Sequence, residues 1–266
     1  MAKPQSSAVE LVVNNTATNP EAQNQVHFVL QAKGGAGKSF VSWVTMQYLQ
    51  LNDAKVCGID TDASNQTFKQ FKSLNVEALQ LSDDNLSIEP IRFDGMMERL
   101  LSEPTNFVVD TGSNTFLPFW KYMVENEALS MLKEAGKRVY LHVVVTGGQA
   151  LTDTMNGLDH VARYAEDQHV VVWLNEYFGK VESKTEEGTK QFGDMKVFKN
   201  NEAKILGVVC IKKVSAETFG VDIAAVTTKK LTFKEAIASS DFSLMAKQRL
   251  KTTQNDWYSQ LSALGL

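Results

Sequence analysis

The chain is poor in the side chains that build metal and redox centres: its 266 residues include 2 cysteines and 4 histidines. Cys57 and Cys210 each sit inside an apolar, strand-like run, and neither has a Cys-x-x-Cys neighbour. That pattern reads as buried structural thiols in a reducing compartment. His27, His142, His160 and His169 lack metal-ligand spacing, so no metal site follows from thiols and imidazoles. Positive charge is also short, with 27 Lys and Arg against 31 Asp and Glu and a formal net charge of −4. Contact with DNA would need a local basic patch, not a global field. No apolar run approaches a membrane span, and the polar residues 1–25 lack the apolar core of a signal peptide. The expected address is the cytoplasm. Within that stretch Ala8-Val9-Glu10-Leu11-Val12-Val13 reads as a loose strand or part of a flexible tail.

What is present suits a soluble core: 43% hydrophobic and 22% charged residues. Short apolar runs recur at residues 26–30, 55–59, 106–109, 139–145, 170–174 and 205–211. Between them, Val41, Val44, Tyr48 and Leu49 fall at helical spacing, and residues 117–135 and 151–166 are long enough for helices. Strands apolar at every position, alternating with helices, predict a doubly wound α/β domain around a mostly parallel sheet. One domain is expected over residues 26–266, and residues 179–193 read as a polar surface loop.

The strongest motif is Ala32-Lys33-Gly34-Gly35-Ala36-Gly37-Lys38-Ser39, set between a strand and a helix. Glycines let successive N–H groups curve around phosphate oxygens, and the helix N-terminus adds partial positive charge. Gly34, Gly35, Ala36, Gly37, Lys38 and Ser39 are therefore the candidate nucleotide cradle of a P-loop NTPase. Lys38 would neutralise the β- and γ-phosphates, and Ser39 would place its hydroxyl on Mg²⁺. Two further strands end in acid, one at Asp60-Thr61-Asp62 and one at Asp110-Thr111-Gly112. In the second, Phe107-Val108-Val109-Asp110 has the form of a Walker-B strand, whose carboxylate holds Mg²⁺, usually through water. In a parallel sheet all three motifs would end at one edge, outside the carboxyl ends of the strands. No Asn-Lys-x-Asp string marks a guanine site, so the expected nucleotide is ATP.

The run Lys33 to Ser39 resembles the deviant Walker A of the ParA/MinD/NifH superfamily. Asp60-Thr61-Asp62 is similar to its switch I, and Asp110-Thr111-Gly112 to its Walker B and switch II. The resemblance implies that Lys33 reaches across a homodimer to the partner's ATP, which joins the subunits until hydrolysis releases them. It also implies that Asp62 orients the attacking water, that Asp60 supports Mg²⁺, and that Asn175 reads the adenine edge. Thr146-Gly147-Gly148-Gln149 matches another strand-to-helix loop of the family. The sequence departs from the family pattern in having Ala32 for glycine, Phe40 for a hydroxyl residue and Asp62-Ala63 for Asp-Pro. Within the superfamily, Val172-Trp173-Leu174-Asn175-Glu176-Tyr177-Phe178-Gly179 and Thr232-Phe233-Lys234-Glu235-Ala236 resemble the TraL/StbB-like proteins of conjugative plasmids.

The function this implies is an ATPase switch in plasmid conjugal transfer, partition or positioning. DNA or a transfer or partition protein would be its partner. Lys229, Lys230, Lys234, Lys247, Arg249 and Lys251 could form a basic patch, or simply solvated helix faces. A biosynthetic ATP-dependent ligase on the same scaffold is one alternative. A metal-cluster carrier is another, but it needs interface thiols that are not paired here, so no iron–sulfur cluster is expected. Leu250, Trp257, Leu261 and Leu264 form a stripe expected to dock on the core, not on a membrane.

Overall fold

The computed structural model describes residues 23–51, 55–62, 65–81, 89–167, 169–186 and 188–266. Residues 8–13, most of the expected tail, and Ala63 lie outside the described residues.

In chain order the elements are β1 (Gln25–Leu30), α1 (Lys38–Gln50), β2 (Val56–Asp60), β3 (Val76–Ala78), α2 (Phe93–Ser102) and β4 (Asn106–Asp110). There follow α3 (Ser113–Glu125), α4 (Ala128–Glu134), β5 (Arg138–Thr146), α5 (Leu151–Ala162) and β6 (Val170–Asn175). The remainder comprises β7 (Glu182–Thr185), β8 (Gly188–Gln191), α6 (Lys196–Asn201), β9 (Ile205–Ile211), α7 (Phe219–Thr228), α8 (Phe233–Ala238) and α9 (Leu244–Ala263).

Seven strands form one parallel sheet in the order β3-β2-β4-β1-β5-β6-β9. Its strands lack a polar alternation because both faces are covered. Val26, Phe28 and Leu30 of β1 enter a core built with α2, α3, α4 and α5, whereas Val29 enters the opposite core with α1, α8 and α9. Strand order reverses at β1, which has β4 on one side and β5 on the other. The crevice at its carboxyl end is where such sheets bind ligands.

One expectation gains detail and another needs correction. Residues 117–135 hold two helices, because Glu127 takes φ 48° and breaks the chain between α3 and α4. Residues 179–193 contain an antiparallel hairpin, with Glu182 paired to Gln191 and Thr185 to Gly188. Its residues are polar on both faces, so it carries no period-2 hydrophobic signal.

Two polar devices lie in the sheet. On the open edge of β9, the Gln260 side chain accepts from the Cys210 N–H (2.7 Å) and donates to its carbonyl (3.2 Å). In the middle, Trp173 Nε1 donates to His142 Nδ1 (2.8 Å), and His142 Nε2 lies 2.8 Å from His27 Nδ1. His27 Nε2 reaches Gln25 Oε1 at 2.9 Å. An indole N–H can only donate, so His142 accepts at Nδ1 and must donate from Nε2, and His27 in turn donates to Gln25. Burial holds both rings neutral: it pushes His142 down to about 3, and burial with the neighbouring His142 holds His27 well below the usual imidazole range.

Candidate nucleotide site

The loop after β1 takes a phosphate-cradle form because its glycines adopt left-handed conformations that other residues adopt only rarely. Gly35 has φ 73° and Gly37 φ 106°. Lys38 opens α1 and is nearly buried, and its Nζ donates to the Lys33 carbonyl at 3.2 Å. The ammonium thus folds back over the loop. Burial lowers its pKa, while the Asp110 and Asp62 charges oppose that shift.

Asp110, paired in register with Asp60 across β2 and β4, is 1% exposed. Its Oδ1 accepts from Ser42 Oγ at 2.9 Å, and its Oδ2 has no hydrogen-bond partner among the described residues. Burial pushes its pKa up to about 7, with Asp60 adding to the rise and Ser39, Ser42 and Lys38 opposing it. A buried carboxylate oxygen without a partner, beside two hydroxyls, is a fit for a hard cation. Among the described residues no group of three or more His, Cys, Asp or Glu could hold a metal. The unpartnered Asp110 oxygen suits Mg²⁺, which keeps waters and takes substrate phosphates as ligands.

Hydroxyls join the neighbouring loops to this floor. Thr61 Oγ1 donates to the Asp110 carbonyl (3.0 Å), Thr111 Oγ1 to Val29 O (2.7 Å), and Thr115 Oγ1 to Thr61 O (2.9 Å). A Cβ at Gly112 would lie 3.0 Å from Asp62 Cα, so the Asp62 loop rests on the start of α3. The fold thus gathers Lys38, Ser39, Asp60, Asp62 and Asp110 at one edge.

Three expected residues are engaged in ways the sequence did not indicate. Both oxygens of buried Asp60 accept backbone N–H groups, Oδ1 from Asp62 and Oδ2 from Lys69, each at 3.0 Å. Its carboxylate organises the following loop. Asn175 donates from Nδ2 to Ala36 O (3.0 Å) and accepts at Oδ1 from the Tyr177 N–H (3.1 Å), so its amide braces the phosphate loop. Lys33 Nζ, exposed, pairs with Asp153 Oδ2 at 2.8 Å in the first turn of α5.

Phe40 turns away from the site and packs on Trp43 and Trp257, with centroids 5.4 and 5.3 Å away. Three cations of the candidate basic patch are engaged within the chain: Lys229 pairs with Asp241, Arg249 with Asp222, and Lys230 lies over Phe71. Leu250, Trp257 and Leu261 of α9 are buried in the core. No helix among the described residues is long and apolar enough to cross a membrane. Thr232 and Glu235 form a reciprocal capping box at the start of α8.

Sequence reasoning missed Gln31, at 0% exposure just before the cradle. A polar residue just after the run 26–30 was its only signal.

Fold and cradle together define the class: a P-loop NTPase fold of the MinD kind. The cell-division ATPase MinD of Pyrococcus furiosus matches 91% of this chain and 99% of its own, with TM-score 0.50 and 16% identity. No protein-family model matches the chain. Two TraL proteins of Escherichia coli are each 36% identical to it. One aligns over 238 residues (89% of this chain, 97% of the relative) and the other over 241 (90% and 98%). The chain belongs to the TraL family.

Proposed function

We propose that the chain is a Mg²⁺-dependent ATPase, one domain over residues 26–266, that acts as a nucleotide-gated homodimer switch in plasmid conjugal transfer, partition or positioning. The observation that carries the reading is the cradle itself. Two left-handed glycines shape a loop of amides, and a nearly buried lysine lies over it. Beside them sits a buried carboxylate with one oxygen unpartnered.

In this reading Gly34, Gly35, Ala36 and Gly37 hold phosphate oxygens by their N–H groups, and Lys38 carries the charge of the β- and γ-phosphates. Ser39 and Asp110 would hold Mg²⁺, which when bound neutralises charge on the phosphates. Asp60 acts one step removed, by fixing the loop that presents Asp62, and Asp62 orients the water for attack. Asn175 holds the loop, and the second N–H of its amide is the group that would meet the adenine edge. Lys33 serves the partner subunit's nucleotide, which requires release from Asp153. Catalysis is then positioning and charge stabilisation, with little covalent work for the protein. Turnover is expected to be slow and raised by a partner protein or DNA.

The test is sedimentation of the full chain with ADP and with a non-hydrolysable ATP analogue, each with and without duplex DNA. The triphosphate analogue should double the sedimenting mass and ADP should not. A chain that shows no ATP binding by calorimetry sinks the reading.

A further inference from the structure

Gln31 is the last residue before the cradle, and its buried amide touches three separate parts of the molecule. Nε2 donates to Val144 O of β5 (2.8 Å) and to Thr154 O of α5 (3.1 Å), while Oε1 lies 3.4 Å from the Lys33 N–H. The helix makes room for it: a Cβ on Gly157 would fall 2.3 Å from Oε1 and 2.8 Å from Nε2. Thr154 is itself fixed, because its Oγ1 donates to Ala150 O (2.8 Å) and accepts from the Thr146 N–H (3.1 Å). The residue before it, Asp153, holds Lys33 Nζ.

We propose that Gln31 is a positioning residue of the phosphate loop, which sets the entry of the cradle and the place of Lys33 by tying both to the first turns of α5. The loop has little else to hold its first half. Ala32, Lys33, Gly34 and Gly35 are exposed, and a Cβ on Gly35 would meet open space. Its anchors among the described residues are Gln31 at the entry, the exposed Lys33–Asp153 ion pair, the Lys38 bond to the Lys33 carbonyl, and Asn175 at Ala36. An apolar side chain of equal length could fill the space beside Gly157. It would leave the buried Val144 carbonyl without this donor and the Lys33 N–H without this acceptor. Any displacement of α5 is carried to both residues that flank Ala32.

The role in turnover rests on the ATPase reading; the role in loop order does not. Two readouts on the full chain separate them: backbone amide exchange over residues 32–39 and 147–157 without nucleotide, and ATP turnover with its KM. Gln31→Met should raise exchange in those two segments at least tenfold over the parent and leave β4 and α9 unchanged. Its kcat should fall at least tenfold with KM within threefold. Gly157→Ala should behave similarly through the clash, and the double variant Gln31→Ala/Gly157→Ala should recover melting temperature but not turnover. Unchanged exchange with kcat within twofold in Gln31→Met overturns the inference. So does parental turnover in the double variant, because then only space mattered. If the parent itself lacks turnover, the ATPase reading fails and the exchange result alone decides whether Gln31 orders the loop.

Discussion

The centre of the sheet and its carboxyl edge both bury polar groups, but they treat them in opposite ways. Across β1, β5 and β6, the Trp173–His142–His27–Gln25 row gives every ring nitrogen a partner and one fixed direction of donation. At the edge, Asp110 Oδ2 and Thr146 Oγ1 are buried without one among the described residues. A completed buried network fixes strand neighbours and has no use for a ligand. An incomplete one is costly unless something arrives to complete it. Thr45 Oγ1 and Trp120 Nε1 are also unpartnered, but both are neutral, and a carboxylate oxygen costs more. The difference points to the same edge independently of any motif.

The largest effect should come from breaking the satisfied row. His142→Phe leaves the Trp173 indole and the His27 Nδ1 buried without their partner, so unfolding free energy should drop by about 4 kcal/mol. Urea denaturation checks this, and a loss under about 1 kcal/mol would mean the row is not structural.

Next is the edge. Lys38→Ala should weaken ATP at least ~100-fold, because a phosphate charge then lacks its closest cation. Unchanged affinity in calorimetry would remove that role.

The two regions should also oppose each other in pH. Asp110 is raised to about 7, so between pH 4 and 7 the folded state keeps a proton the unfolded chain has released. Stability from this group therefore falls as pH rises toward 7, by about 2 kcal/mol between pH 5 and 7. His142, lowered to about 3, does the reverse: the unfolded imidazole takes up a proton below about 6.5, so stability falls as pH drops. Asp110→Asn should remove the alkaline decline and expose the histidines' acid sensitivity. A variant melting curve that tracks the parent from pH 5 to 8 would contradict the assignment.

The smallest effect on stability and affinity belongs to Lys33→Ala. An exposed ion pair contributes under about 1 kcal/mol, so melting and ATP affinity should hardly change. Turnover and nucleotide-driven dimerisation should be lost. Parental turnover would sharpen the comparison the other way, leaving Lys38 as the one cation of the loop that matters.

Much of this was legible from residue order. The core strands announce themselves by unbroken apolar runs, and the cradle by its glycines and Lys38-Ser39. The carboxylates at Asp60, Asp62 and Asp110 gather at one edge because parallel strands all end there. What stayed hidden depends on register or on local backbone. His27 and His142 lie 115 positions apart and meet only because β1 and β5 are neighbours. The hairpin of β7 and β8 has no apolar face, and the break at Glu127 falls within an otherwise helical pattern. Asp60 and Asn175 are legible as motif positions. Their hydrogen bonds to the backbone of Asp62, Lys69, Ala36 and Tyr177 depend on tertiary placement, which composition does not encode.

The Gln260 amide on Cys210 has a bearing on how copies of this chain meet. An exposed parallel edge invites a foreign strand to extend it. Here a single glutamine fills the donor and acceptor that such a strand would seek at that rung. Molecules crowded together would find that rung already taken, which discourages sheet-to-sheet polymerisation and favours assembly through other surfaces.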